Sequence, residues 1–193
     1  FTDGQSLGQE VNMANSNKGI HTYSVQEATN VLLPRMIKIN PTQVVADAAD
    51  DDVIFDWTEL SGASLANGRA TKLVSVGILD SDDSAAGVEL VFCRGEGDSG
   101  TAPTAAQALG TANDVVNITA AETLEIEICG NVVVGLDEGD LILAYVLAKY
   151  DINLIMQPQK NSTSLYVAGI WRGANPAVTG SATSMNLYFG FEG

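Results

Sequence analysis

The sequence predicts an all-β fold, an antiparallel β-sandwich of jelly-roll character preceded by an extended N-terminal arm. Three observations carry this. Short runs rich in Val, Ile, Leu and Phe recur along the chain, and acidic or glycine-rich turn signals separate them at intervals of roughly 8 to 15 residues. Strands do not alternate with amphipathic helices, which sets a doubly wound α/β fold aside. A length of 193 residues suits a single sandwich domain, which we place at 34–193, with the arm at 1–33.

In the arm, Asp3, Gly4, Gly8, Asn12, Asn15, Asn17 and Gly19 interrupt every apolar period. Its apolar residues Leu7, Val11, Met13, Tyr23, Val31, Leu32 and Leu33 are expected to become ordered on assembly. One short helix is compatible with 25–33, ending at Pro34. The chain begins with Phe1, and a bulky second residue normally blocks removal of an initiator methionine. Leading residues are therefore expected to be cleaved or to lie outside this sequence.

From Pro34 the pattern turns to strands. Met36, Ile37 and Ile39 form a first run closed by Asn40-Pro41, and Val53, Ile54, Phe55 and Trp57 form a second after Asp50-Asp51-Asp52. Residues 72–79 give a third, bounded by Asp80, Asp82 and Asp83. In 88–94, Val88, Leu90 and Phe92 share one face and Glu89, Val91 and Cys93 the other. Residues 124–129 alternate more cleanly still, Leu124, Ile126 and Ile128 against Glu125, Glu127 and Cys129, which predicts a strand with one wet face. The long small-residue connection between these two runs holds a possible short helix at 103–109, and long ordered connections tend to be functional or interfacial. Runs at 132–134, 141–147, 152–156, 164–171 and 185–191 complete the set.

The chain offers little from which to build a catalytic or metal site. It holds one histidine and two cysteines. His21 lies in the polar arm without a catalytic spacing around it, so it reads as an ordinary exposed side chain. Cys93 and Cys129 share the parity opposite the apolar faces of their runs; a disulfide is conceivable if the strands are neighbours, and free thiols are the expectation. The acidic groups Asp50 to Asp52, Asp80 with Asp82 and Asp83, and Asp137 with Glu138 and Asp140 lack EF-hand spacing and read as solvated turns, with weak calcium binding as the alternative. Gly95, Gly97 and Gly100 make a G-x-G-x-x-G, but Glu96 and Asp98 put negative charge where a pyrophosphate would sit, and no crossover helix follows directly. A flexible loop is expected there. Asn117 and Asn161 open N-x-T sequons that matter only in a glycosylating host. No enzyme activity, cofactor or metal is therefore expected.

A net charge of −15 disfavours nucleic acid and anionic membrane surfaces as partners. No stretch approaches the roughly 20 apolar residues of a membrane helix.

Residues 70–76 (Ala-Thr-Lys-Leu-Val-Ser-Val), 88–93, the loop Gly100-Thr101-Ala102-Pro103 and residues 164–169 (Ser-Leu-Tyr-Val-Ala-Gly) resemble the small virion structural proteins of marine tailed phages, over about residues 34–193. That resemblance implies a β-sandwich that decorates or cements the outer capsid surface, commonly as a homotrimer or other homo-oligomer, with the major capsid protein as its second partner. It implies no catalytic residues. Acidity suits the outer face of a shell more than its DNA-facing interior. The competing expectation is an extracellular filament or surface-layer subunit joined by strand addition. A carbohydrate-binding β-sandwich is third, and for it only Trp57, Trp171 and a few tyrosines could serve as platforms.

Overall fold

The structure, a computed structural model, describes residues 34–43, 49–80, 87–111, 114–135, 145–172 and 185–193. The expectations for 1–33, including the helix at 25–33, His21 and the arm residues Leu7, Val11, Met13, Tyr23, Val31, Leu32 and Leu33, lie outside them. So do Asp82, Asp83, Asp137, Glu138, Asp140 and residues 141–144.

Eight strands form two antiparallel sheets of four. They are β1 (Arg35–Ile39), β2 (Val53–Leu60), β3 (Thr71–Asp80), β4 (Gly87–Cys93), β5 (Ile128–Val134), β6 (Tyr145–Met156), β7 (Leu165–Arg172) and β8 (Met185–Glu192). The first sheet runs β1-β8-β3-β6 and the second β2-β7-β4-β5. The chain pairs as one long hairpin with its apex between β4 and β5: β4 with β5, β3 with β6, β2 with β7 and β1 with β8. Wrapping that hairpin brings β8 against β3 and β7 against β4, which joins the pairs into two sheets. This strand order is the eight-stranded jelly roll.

Alternation along each strand fills the space between the sheets. Leu73, Val76, Ile78, Leu187, Phe189 and Phe191 of the first sheet meet Ile54, Leu60, Val88, Leu90, Phe92, Val167 and Trp171 of the second. Phe92 and Phe189 pack edge to face across the gap with ring centroids 6.0 Å apart. Each such fully buried side chain contributes about 1.5–3 kcal/mol from removal of apolar surface from water. The aliphatic character of this core follows from a sequence in which aromatic residues make up only 6%.

The predicted strand at 124–129 is corrected by the structure. A short helix, α1 (Ala120–Ile126), occupies its first part, and β5 begins only at Ile128. The local reason is a capping box: the Thr119 hydroxyl accepts from the Glu122 backbone amide at 3.3 Å, and the Glu122 carboxylate accepts from the Thr119 amide at 2.7 Å. Glu127 then ends the helix in a left-handed conformation at φ 52°. Ile126 turns inward, fully buried, while Leu124 is 77% exposed instead of sharing its face. The possible helix at 103–109 is a single 3₁₀ turn, Ala105–Gln107. The runs at 132–134 and 152–156 fall within β5 and β6.

The second sheet is covered on its outer side as well. The 3₁₀ turn, α1 and their flanks lie over it: Leu109 packs with Val91, Ala168 and Ile170, and Ile126 with Cys93 and Tyr166. All seven residues of β4 are buried: on its outer face Val91 and Cys93 lie under that cover, and Glu89 lies against Arg172 and Asn131.

In β7 a glycine is needed for close approach. A Cβ on Gly169 in β7 would sit 2.3 Å from the fully buried Phe55 ring. Gly169→Ala is therefore expected to lower unfolding free energy by about 2 kcal/mol through overpacking, measured as a fall in the urea midpoint at unchanged slope.

Candidate functional site

Register places three connections at one end of the sandwich. Leu60 pairs with Leu165, Cys93 with Tyr166 and Thr71 with Met156, so the segments 61–70, 94–101 and 157–164 gather there, while residues 114–116 bond to residues 51–53 at the opposite end. They are knitted by polar contacts. The Gly68 amide donates to Ser162 O and the Ser64 amide to Thr163 O, both at 2.9 Å, and the Asn161 amide donates to Asp98 O at 2.8 Å. Gln159 Nε2 donates to Gly95 O at 3.2 Å and the Tyr166 hydroxyl to Gly100 O at 2.8 Å. Arg94 bonds the Glu127 carboxylate.

The G-x-G-x-x-G segment is thus pinned, in contrast to the flexible loop expected from its composition. Glu96 and Thr101 exchange backbone hydrogen bonds at 2.8 and 2.9 Å, closing a tight turn. Gly95 has φ +80°, and a Cβ there would lie 2.6 Å from both Thr101 O and the Tyr166 ring, so the glycine is demanded by packing.

At the other end lies a charged cluster that strand alternation did not reveal. Glu89, 8% exposed, takes Arg172 on one carboxylate oxygen, with Nε at 2.6 Å, and Asn131 Nδ2 on the other. Arg172 also pairs with Asp51. Asp52 accepts the Ala49 amide at 2.6 Å, so the Asp50 to Asp52 run serves to shape the turn entering β2. Among the described residues no group of three or more His, Cys, Asp or Glu side chains is arranged to hold a metal ion. Arg172 closes β7, three strands after Glu89 in sequence but on the strand beside β4 in the sheet.

Cys93 and Cys129 are both free. A register shift after Phe92 offsets β5 by one residue, so the two side chains do not share a face: Cys93 packs with Ile126 and Tyr166 on the outer side, while Cys129 packs against the inter-sheet core. Burial raises the Cys93 thiol from an ordinary 9.0 to about 12 and the Cys129 thiol to about 11.

Each sheet edge is guarded. At β2 the register shifts twice, and Asp56 Oδ1 accepts the Leu109 amide at 3.1 Å. At β6 residues 151–153 bulge out, with Asp151 and Asn153 at φ 57° and 56°. Lys149 reaches from β6 to the Val133 carbonyl of β5 at 2.7 Å, tying the edges of the two sheets. β1 has only five residues, and its Arg35 donates to Ala63 O at 2.8 Å. Short strands, bulges and charges are the means by which sheet edges resist pairing with other chains.

No family model and no curated protein matches the chain. Among solved structures it is similar to a chain of tomato aspermy virus, at 7% identity and a TM-score of 0.34, over 96% of this chain and 91% of that one. It is also similar to a chain of the native virion of Kashmir bee virus at neutral pH, at 13% identity and a TM-score of 0.31, over 100% of this chain and 78% of that one. Likeness at this level carries no inference of function.

Arg172→Leu is expected to cost about 2 kcal/mol by leaving the Glu89 carboxylate buried without its cation, and adding Glu89→Gln should recover most of the loss in chemical denaturation. The thiols should resist alkylation in the native protein at neutral pH and react on unfolding. Because their folded pKa values lie above the unfolded ones, their contribution is fully present below about pH 9, and stability should decline as pH rises toward about 11 to 12.

Proposed function

We propose that this chain is a non-enzymatic structural subunit of a virus particle that decorates or cements the outer capsid surface as a homo-oligomer on the major capsid protein. The observation that carries this reading is the jelly-roll strand order with an interior filled by aliphatic and aromatic side chains. That architecture recurs in viral capsid domains, lectins and cupins, and fold alone does not choose among them. Side chains narrow the choice. A cupin-type metal site needs ligands inside the sandwich, where this protein places Leu, Val, Phe and Met. A lectin of the stacking type needs exposed aromatic platforms; here Trp171 is 2% exposed and Trp57 donates its ring N–H to Gln107 O at 2.9 Å beneath the covering connection.

The charge of −15 and the pinned loops suit a rigid block held in solvent on a shell of other subunits. The guarded edges weigh against a filament joined by strand addition. In this reading Leu7, Val11, Met13, Tyr23, Val31, Leu32 and Leu33 form an arm that lies across a neighbouring subunit and adds buried apolar area there.

Deleting residues 1–33 is expected to leave a folded protein with reduced oligomer mass and reduced binding to purified shells, read by light scattering and co-sedimentation. Unchanged mass and unchanged particle binding would remove the arm from the reading, and full-length chain that polymerises alone but ignores shells would replace cement by filament.

A further inference from the structure

The two faces of the sandwich are unequal. The outer side of the second sheet is covered by the 94–127 connection, whereas the outer side of the first sheet presents large apolar groups to solvent. Met36, Tyr150 and Ile155 are 65%, 73% and 70% exposed. They form a pattern. Met36, Gly190, Ser75 and Tyr150 lie in one row across β1, β8, β3 and β6, so bulky side chains stand at both edges with Gly and Ser between them. In the next outward-facing row Lys38 lies over Tyr188, 5.6 Å from the ring centroid, and Gly77 and Ala148 follow. The first row is a shallow dip between Met36 on β1 and Tyr150 on β6, bounded on the side of the second row by Tyr188 of β8, which stands beside Gly77.

Its charge is unlike that of the remaining chain. The strands of the first sheet carry Arg35, Lys38, Lys72 and Lys149 against Asp80, Asp151 and Glu192, a small basic excess in a protein of net charge −15. Lys38 and Lys72 stand on the outer face, and Lys72 pairs with Glu192 at 2.6 Å. The 94–127 connection has the opposite character: Glu96, Asp98, Asp114, Glu122, Glu125 and Glu127 against Arg94 alone. On its α1 helix Leu124 projects 77% exposed between Glu122 and Glu125.

We propose that the outer face of the β1-β8-β3-β6 sheet receives α1 of a second copy of this chain. Leu124 seats over Ser75 and Gly190 between Met36 and Tyr150, and Glu122 and Glu125 face Lys38 and Lys72. A ridge with an apolar tip and acidic flanks complements a dip with an apolar floor and basic flanks. Packing the same face on itself does not, because it would set small residues over small ones and lysine against lysine. The contact is heterologous, so copies close into a ring or continue as a row, according to the rotation between them. It rests on the reading of the chain as an assembling subunit and names one surface of that assembly. Four strands spaced about 4.8 Å apart limit the receiving face to about 19 Å in width, which places the contact among the weak ones that matter at high local concentration.

The test uses the full chain in sedimentation equilibrium up to about 1 mM, at low and high salt. Self-association that weakens with salt is expected for the wild type. Lys38→Glu and Leu124→Glu should each weaken it at least about tenfold, with thermal midpoints unchanged because both side chains are exposed. Glu125→Lys should weaken it likewise, and mixing the Lys38→Glu chain with the Glu125→Lys chain should restore a hetero-association that neither shows alone. A wild type that stays monomeric throughout, or surface variants that associate as the wild type does, overturn the proposal. Shell binding by the same variants is read separately: retained particle binding with lost chain-to-chain contact supports both readings, and retained self-association with no particle binding defeats only the virion role.

Discussion

The pairing of β8 with β3 and of β7 with β4 is the constraint on which this structure depends. Until those pairs form, the chain is a long hairpin whose strands pair around one apex. Once they form, each hairpin layer is locked into one of two sheets and the apolar rows are held face to face. The interior is then filled by residues from every strand, so no strand can shift register by one residue without turning its core side chains to solvent. Most of this pairing joins residues far apart in sequence, with β1 and β8 from the two ends of the described domain. Such topology costs loop-closure entropy before it is rewarded, and folding is correspondingly slow compared with helical proteins.

The same wrap sorts the surfaces. Connections 61–70 and 157–164 meet the start of the 94–127 connection at one end, where backbone bonds, Tyr166 and Arg94 knit them together. The longest of them folds over the second sheet and takes most of its acidic side chains to solvent. The first sheet keeps an open outer face with lysines and apolar groups. An acidic protein with one sheltered and one open sheet face has two chemically distinct sides.

Much of the architecture was legible in the residues. Alternation in 88–94 assigned Val88, Leu90 and Phe92 correctly to the core, and turn signals at Asn40-Pro41 and Asp50 to Asp52 marked real boundaries. The reading of 124–129 failed because alternation of Leu, Ile and Glu over six residues fits a helix turn as well as a strand. The Thr119-x-x-Glu122 capping box upstream was the signal that decides between them. The surfaces were less legible than the core. Glu89 and Arg172 meet because β4 and β7 are neighbours, and nothing local to either residue announces the other.

By itself the sequence determined the fold class, most of the strand segments, the aliphatic core and the acidic surface, because these depend on short-range periodicity and on totals; the runs at 141–147 and 152–156, read as two strands, belong from Tyr145 onward to the single strand β6. Tertiary structure alone decided the strand order, the burial of both faces of β4, the separation of the two thiols to opposite faces and the contrast between the sheets' outer surfaces. Each of those depends on which strands become neighbours, and that is settled by the joint packing of segments far apart along the chain.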